Sequence, residues 1–143
     1  HIFLRFELEG ELLEGRLPVV DLPQAWNDRM SACMNIVPPN DAQGVLQDIH
    51  WADGIMGYFP TYTLGNLLSV QFFNQAVQDH PDIPSQIEAG QFDTLHMWLI
   101  KHIHAHGKKY TPAELTQRVT GDQMRAEPFI AYVKEKYAEI YDL

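Results

Sequence analysis

Apolar side chains recur at intervals of three and four along most of this chain, and strand-length alternation is scarce. The pattern predicts an all-α fold with no internal repeats and no low-complexity linker. Phe3, Phe6 and Leu13 mark one side of a first helix that runs to about Glu14 and stops at Gly15, with Gly10 a weak interior point. After a connector at residues 17–20, Asp21 is the expected N-cap of a second helix, with Pro23 in its first turn. That helix runs to about Asn35 and buries Trp26, Met30 and Cys33, and Pro38-Pro39 ends any helix there. A long helix is predicted to begin at Tyr62 or Thr63 and reach about Asp79, carrying Leu64, Leu67, Leu68, Phe72 and Val77 on its apolar face. His80-Pro81 closes it. A short helix follows over 84–89, stopped by Gly90, and another over 92–105 with Leu95, Trp98, Leu99 and Ile103. Thr111-Pro112-Ala113-Glu114 has the form of a capping box with proline at the first helical position, for a helix to about Val119. The last helix, from Glu127-Pro128 to the end of the chain, spaces Phe129, Tyr132, Val133, Tyr137, Ile140 and Tyr141 as a core-packing stripe.

A chain of 143 residues fits one domain, residues 1–143, and at this length roughly 70% of the unfolded surface is buried on folding. The 19 acidic and 10 basic residues give a formal net charge of -9, which disfavours nucleic acid and anionic membranes as partners. Cys33 is the single cysteine, so no internal disulfide forms, and it is expected as a buried inert thiol in a reduced cytoplasmic protein. No apolar run approaches the roughly 18 residues of a membrane span, and no signal peptide is visible. The opening His1-Ile2-Phe3-Leu4 has neither an initiator methionine nor a cap ahead of an apolar pattern already in progress. It is expected to be the interior of a helix in a longer protein.

The chemistry concentrates in one glycine-punctuated segment, Gly44 to Trp51 followed by Tyr58 to Tyr62, predicted as an irregular connection between helices. Gln47 supplies a donor and an acceptor, Asp48 an acceptor, His50 a titratable ring, Trp51 an indole donor, and Tyr58 and Tyr62 phenols. Neutral donors gathered in this way suit a carboxylate or a developing oxyanion, and nothing in the segment is an obvious nucleophile. The same residues also suit a helical core in which polar-tipped aromatic side chains are buried and satisfied. Both readings stand on spacing alone.

Two other clusters invite a site and receive a plainer reading. His96, His102, His104 and His106 suggest metal, but only His102 and His106 stand four apart, and no histidine is followed by the glutamate of a His-Glu-x-x-His site. They are expected as imidazoles near a helix C-terminus, with no metal held by this chain, and Gly107-Lys108-Lys109 as a C-cap with basic residues. Glu7, Glu9, Glu11 and Glu14 are expected to form a solvated helix face.

The Gly44, Gln47, Asp48, His50 and Trp51 pattern, Gly-x-x-Gln-Asp-x-His-Trp, resembles the carboxypeptidase Taq family of metallocarboxypeptidases. The resemblance extends through residues 4–7, Pro38-Pro39-Asn40-Asp41, residues 57–66, Ile103-His104, His106-Gly107 and Tyr110-Thr111-Pro112, so it covers nearly the whole chain. It implies a largely helical, zincin-like enzyme that removes C-terminal residues from peptides with zinc or a similar divalent ion. The family's His-Glu-x-x-His and Ile-Arg-x-x-Ala-Asp motifs do not occur in this chain. By resemblance, then, residues 1–143 correspond to a C-terminal portion of such an enzyme, one wall of its cleft, which is expected to be inactive alone and to work with the upstream part. Within that wall the resemblance implies His50 and Tyr62, with Tyr58 as the alternative phenol, as oxyanion donors, and Gln47, Asp48 and Trp51 on the substrate side. Asp48 has the alternatives of orienting His50 or capping a helix, and Trp51 that of packing. A homodimer is also implied. The competing expectation is a free-standing helical interaction module without catalysis.

Overall fold

The computed structural model describes residues 1–142, and among these the regular structure is entirely helical. Eight α-helices occur in chain order: α1 (Ile2–Leu13), α2 (Leu22–Met34), α3 (Ile49–Ala52), α4 (Phe59–Asp79), α5 (Ile83–Glu88), α6 (Asp93–His102), α7 (Pro112–Thr120) and α8 (Glu127–Tyr141). Short 3-10 turns fall at Val19–Asp21, Asp41–Gln43, Val45–Gln47 and His104–His106. The chain divides into two compact units, His1–Leu64 and Gly65–Leu143.

The first unit is built on Leu4, Leu8, Trp26 and Val45, with Leu17, Leu22, Ala25, Met30 and Trp51 packed around them. Each large apolar side chain enclosed in this way stabilises the fold by roughly 1.5–3 kcal/mol. The buried face of α1 is therefore the Leu4/Leu8 stripe, and the Phe3, Phe6 and Leu13 side is exposed. Two apolar stripes at helical spacing lie on α1, and periodicity does not say which one meets the core. Gly15 takes a left-handed φ of 71° just past the helix, as a C-terminal glycine should. Asn35 plays that part after α2, at φ 54°. Asp21 precedes α2 but makes no side-chain capping bond, and Cys33 is exposed. The thiol lies on the solvent side of a helix whose core contact is centred on Trp26.

The second unit encloses Ala76, Ile83 and Trp98, joined by Phe72, Val77, Ile87, Leu95, Leu99, Ile103 and Val119. The Thr111 capping box forms in full: Thr111 Oγ1 accepts from Glu114 N, and the Glu114 carboxylate accepts from Thr111 N and Oγ1 at 2.8 Å each. Those bonds, the backbone one foremost, hold the Glu114 carboxyl below its ordinary range. Gly121 closes α7 at φ 73°. Gln71, buried on α4, fixes the turn between α7 and α8 by donating to Gln123 O and accepting from Arg125 N, both at 3.0 Å. The aromatic stripe of α8 is not core here: Ile130, Tyr132, Tyr137, Ile140 and Tyr141 are exposed, and no residue of α8 is fully buried. The expected run of that helix to the chain end touches Leu143, which lies outside the described residues.

Two boundaries differ from the periodic pattern for identifiable reasons. α4 begins at Phe59 and not at Tyr62, because Pro60 falls in the first turn, where its missing N–H has no helical partner to lose. α6 ends at His102, and Ile103 leaves helical geometry (φ -120°, ψ -66°) before a separate 3-10 turn. His102 and His106 consequently do not lie on one continuous helix face. No described helix is long and apolar enough to cross a membrane.

Candidate functional site

The segment from Gly44 to Tyr62 is irregular only in part, with residues 53–58 outside any helix. It folds as a 3-10 turn, the four-residue α3 and the first turn of α4, all within the first unit. Its entry depends on Gly44, where an added Cβ would lie 3.1 Å from Pro38 Cβ and 3.2 Å from the Asn40 carbonyl oxygen. The Pro-Pro-Asn-Asp turn thus passes directly over this glycine. The exit depends on Gly57, at φ 78°, whose N–H donates to Glu9 Oε1 at 2.6 Å.

Asp48 organises the centre. Its side chain is 2% exposed, and Oδ1 accepts the His50 backbone N–H at 2.9 Å, capping α3. The same oxygen lies 3.2 Å from His50 Nδ1, while Oδ2 accepts from Arg5 Nε of α1. Both alternatives for Asp48, orienting His50 and capping a helix, are met by one carboxylate. Those three partners hold the carboxylate in place, and Asp48 is also among the residues that line the recess beside His50.

His50 extends the chain of contacts outward. Its Nε2 lies 2.9 Å from Tyr62 Oη, and its ring stacks on Tyr58 at a centroid distance of 5.9 Å and leans on Phe59 at 5.0 Å. Phe59 is 2% exposed and anchors the start of α4. Tyr58 and Tyr62 sit four residues apart and pack edge to face at 5.3 Å with both rings exposed. His50, Tyr58 and Tyr62 therefore form one aromatic cluster with its polar tips at the surface. Beside it, a recess of about 270 Å³ is lined by Ile2, Arg5, Gln47, Ile49, His50 and Tyr62. Gln47 borders this recess, and its amide donates to the Ala42 carbonyl, which holds it to the preceding turn.

Trp51 faces the other way. Its ring packs edge to face against Trp26 at 6.1 Å and Phe59 at 5.9 Å, and Nε1 donates to Glu9 Oε2 at 3.0 Å. The packing alternative describes Trp51. Glu9 corrects the expectation of a solvated acidic face: it is 2% exposed and ties α1 to both Trp51 and Gly57. Glu7 and Glu11 pair with Arg29 of α2 and Glu14 with Arg16, and of these acids Glu7 and Glu14 are exposed, as expected for a solvated face. Arg5 and Glu9 are the residues that sequence reasoning missed. Their signal was available in outline, since they stand four apart on α1 next to the buried Leu4 and Leu8.

In the second unit two of the histidines pack on aromatic rings. His102 stacks on Trp98 at 4.8 Å, and His106 meets Tyr110 edge-on at 5.4 Å. Trp98 Nε1 donates to Asp79 at 2.7 Å, and that bond holds the Asp79 carboxyl below its ordinary range. Among the described residues no three His, Cys, Asp or Glu side chains converge as metal ligands do. A recess of about 730 Å³ lies along α7 beside Tyr110, Glu114, Arg118 and Met124.

Comparison with known proteins places this architecture. The family model described as Carboxypeptidase Taq (M32) metallopeptidase matches residues 1–137. Thermostable carboxypeptidase 1 of Pyrococcus furiosus is 44% identical over 137 residues, which is 96% of this chain and 28% of the relative. Thermostable carboxypeptidase 1 of Thermus thermophilus is 43% identical over 141 residues, 99% of this chain and again 28% of the relative. The crystal structure of the M32 carboxypeptidase from Deinococcus radiodurans superposes with a TM-score of 0.93 at 40% identity, covering 100% of this chain and 29% of that one. The chain thus spans a little over a quarter of the length of the relatives it matches.

Proposed function

This chain belongs to the carboxypeptidase Taq (M32) metallopeptidase family, and from that premise we propose that it forms one wall of the cleft in a metal-dependent carboxypeptidase acting on the C-termini of peptides. The observation that carries the reading is the contact of His50 Nε2 with Tyr62 Oη at 2.9 Å, backed on its far side by buried Asp48. When water adds to a peptide carbonyl, negative charge gathers on the carbonyl oxygen, and donors aimed at that oxygen lower the barrier. An exposed phenol next to an oriented imidazole supplies such donors at the rim of a recess, and Tyr58 is close enough to substitute for or support them. Gln47, on the same recess, is suited to hold a substrate amide. In this reading Asp48 acts through His50, and Trp51 holds the wall together.

The described residues do not fit a resident metal site. Asp48, the carboxylate nearest His50, is committed to Arg5, and among the described residues no three His, Cys, Asp or Glu side chains gather as a ligand set. The divalent ion, zinc or a similar one, whose chemistry is to polarise the carbonyl and activate water, is held by other parts of the complete enzyme. The present chain is accordingly inactive alone and works against the remainder of the same enzyme. A cytoplasmic setting and a homodimeric assembly belong to the same proposal and rest on family resemblance.

The test is Tyr62→Phe in the complete enzyme. Turnover falls about a hundredfold, as for loss of one oxyanion donor, while metal content stays at the unmutated level. Unchanged turnover rejects the oxyanion role.

A further inference from the structure

We propose that Arg5 is a positioning residue that fixes where the proton lies between His50 and Tyr62. The inference rests on the catalytic reading above for its consequence, though not for its geometry. The guanidinium lies on α1, a different element from the His50–Tyr62 pair, and reaches it only through Asp48.

The hydrogen-bond inventory is closed on the inner side. Arg5 Nε and the His50 backbone N–H can only donate, so the Asp48 carboxylate that receives them serves as an acceptor. The third group on that carboxylate is His50 Nδ1, at 3.2 Å, and it must therefore carry a hydrogen. In a neutral imidazole Nε2 is then the bare nitrogen, and the contact of 2.9 Å is made by the Tyr62 hydroxyl donating to it. The phenol proton is thus directed at His50, and the phenol lone pairs face the recess. For Tyr62 to donate to an oxyanion, that proton must swing outward or His50 must take up a second one. Arg5 governs the choice because it holds Asp48 in the one orientation that serves His50 Nδ1.

The surroundings leave Arg5 as the cation set against this carboxylate. His50 is faced by Asp48 from its own segment, by Tyr58 and Tyr62 across the start of α4, and by Arg5 from α1 through Asp48. Glu9, the other buried acid of the unit, is spent on Trp51 and Gly57. Arg5 is itself restrained: its guanidinium lies 4.7 Å from the centre of the Trp26 ring, and Nη1 is 3.2 Å from His1 Nδ1. The side chain is 16% exposed and that of Asp48 2%, so water competes little for the pair.

The experiment reads the His50 ring nitrogens by NMR in the 143-residue chain at neutral pH, unmutated and as Arg5→Gln, a change that keeps a donor and much of the stem but removes the charge and the fork. The expected spectrum of the unmutated chain shows His50 as a single species protonated on Nδ1 with Nε2 bare. In Arg5→Gln, with helical circular dichroism preserved, that single species is lost to the other tautomer or to the doubly protonated ring. A His50 protonated on Nε2 alone in the unmutated chain overturns the inference, and that result does not depend on any variant folding. An unchanged single Nδ1-protonated species in folded Arg5→Gln overturns it as well. In the complete enzyme Arg5→Gln lowers kcat about tenfold with KM within about twofold, as for outer partners of a working histidine. If Tyr62→Phe leaves turnover intact while Arg5→Gln still alters the His50 spectrum, the catalytic reading falls and the positioning role of Arg5 stands.

Discussion

His50 in the first unit and His102 in the second carry the same ring in different company. His50 has a buried carboxylate on one nitrogen and a phenol on the other, whereas His102 lies flat on an indole. The units also share a device, an indole N–H donating to a carboxylate from another element, Trp51 to Glu9 and Trp98 to Asp79. Each carboxylate holds a second donor, Gly57 N–H on Glu9 and Gln75 Nε2 on Asp79, but Glu9 is enclosed at 2% exposure and Asp79 lies at the surface. The difference teaches that the working character of a histidine comes from what the fold places on its two nitrogens. The number of histidines nearby says much less, because four in eleven residues of the second unit assemble no ligand set among the described residues.

The comparison is most easily broken at Glu9. Glu9→Leu takes the acceptor from the partly buried Trp51 indole N–H and from the Gly57 N–H, so unfolding by urea should show a loss of about 2 kcal/mol. A change below about 1 kcal/mol would mean that Glu9 is no more than a surface acid. Gly44→Ala comes next, since the new Cβ must displace Pro38 or the Asn40 carbonyl, which are 3.1 and 3.2 Å away. A cost of about 1–2 kcal/mol is expected in the same assay, and a stabilised variant would show that the turn gives way freely.

Asp79 provides the milder counterpart of Glu9. Its carboxyl is held below its ordinary range by the Trp98 N–H. Its contribution is therefore present above the unfolded-state value, near 3.8, and is lost as pH falls through the lower folded-state value. Asp79→Asn should flatten the acid limb of stability in that window by a small amount, because the group is exposed and screened. An acid limb identical to that of the unmutated chain would remove Asp79 from the account of the second unit. Zinc titration followed by calorimetry is expected to give no one-to-one binding to the chain. A stoichiometric site abolished by His102→Gln would overturn the contrast between the two histidine settings.

Local rules made much of this structure legible from sequence. The Thr111 capping box and the stop at Gly15 after α1 each involve residues within a few positions of one another, and both form. The site was legible as a segment, because Asp48, His50, Tyr58 and Tyr62 fall within fifteen residues and meet in one cluster. What was not legible depends on distant partners. Glu9 reads as one acid among four until Trp51 and Gly57 arrive from more than forty residues away. Arg5 likewise has no assignable partner until Asp48 does. The aromatic face of α8 and the Phe3/Phe6 side of α1 have the spacing of core and are exposed here. Helical periodicity identifies an apolar face without naming what covers it.

The most direct measurement sets the two histidines against each other in the complete enzyme, as kcat for peptide hydrolysis in His50→Ala and His102→Gln at equal metal content. A histidine that orients and supports an oxyanion donor predicts that His50→Ala loses about a hundredfold in kcat, while His102→Gln stays within about threefold. Equal losses in the two variants, or a larger loss at His102, would contradict the assignment of the His50–Tyr62 pair as the working part of this chain.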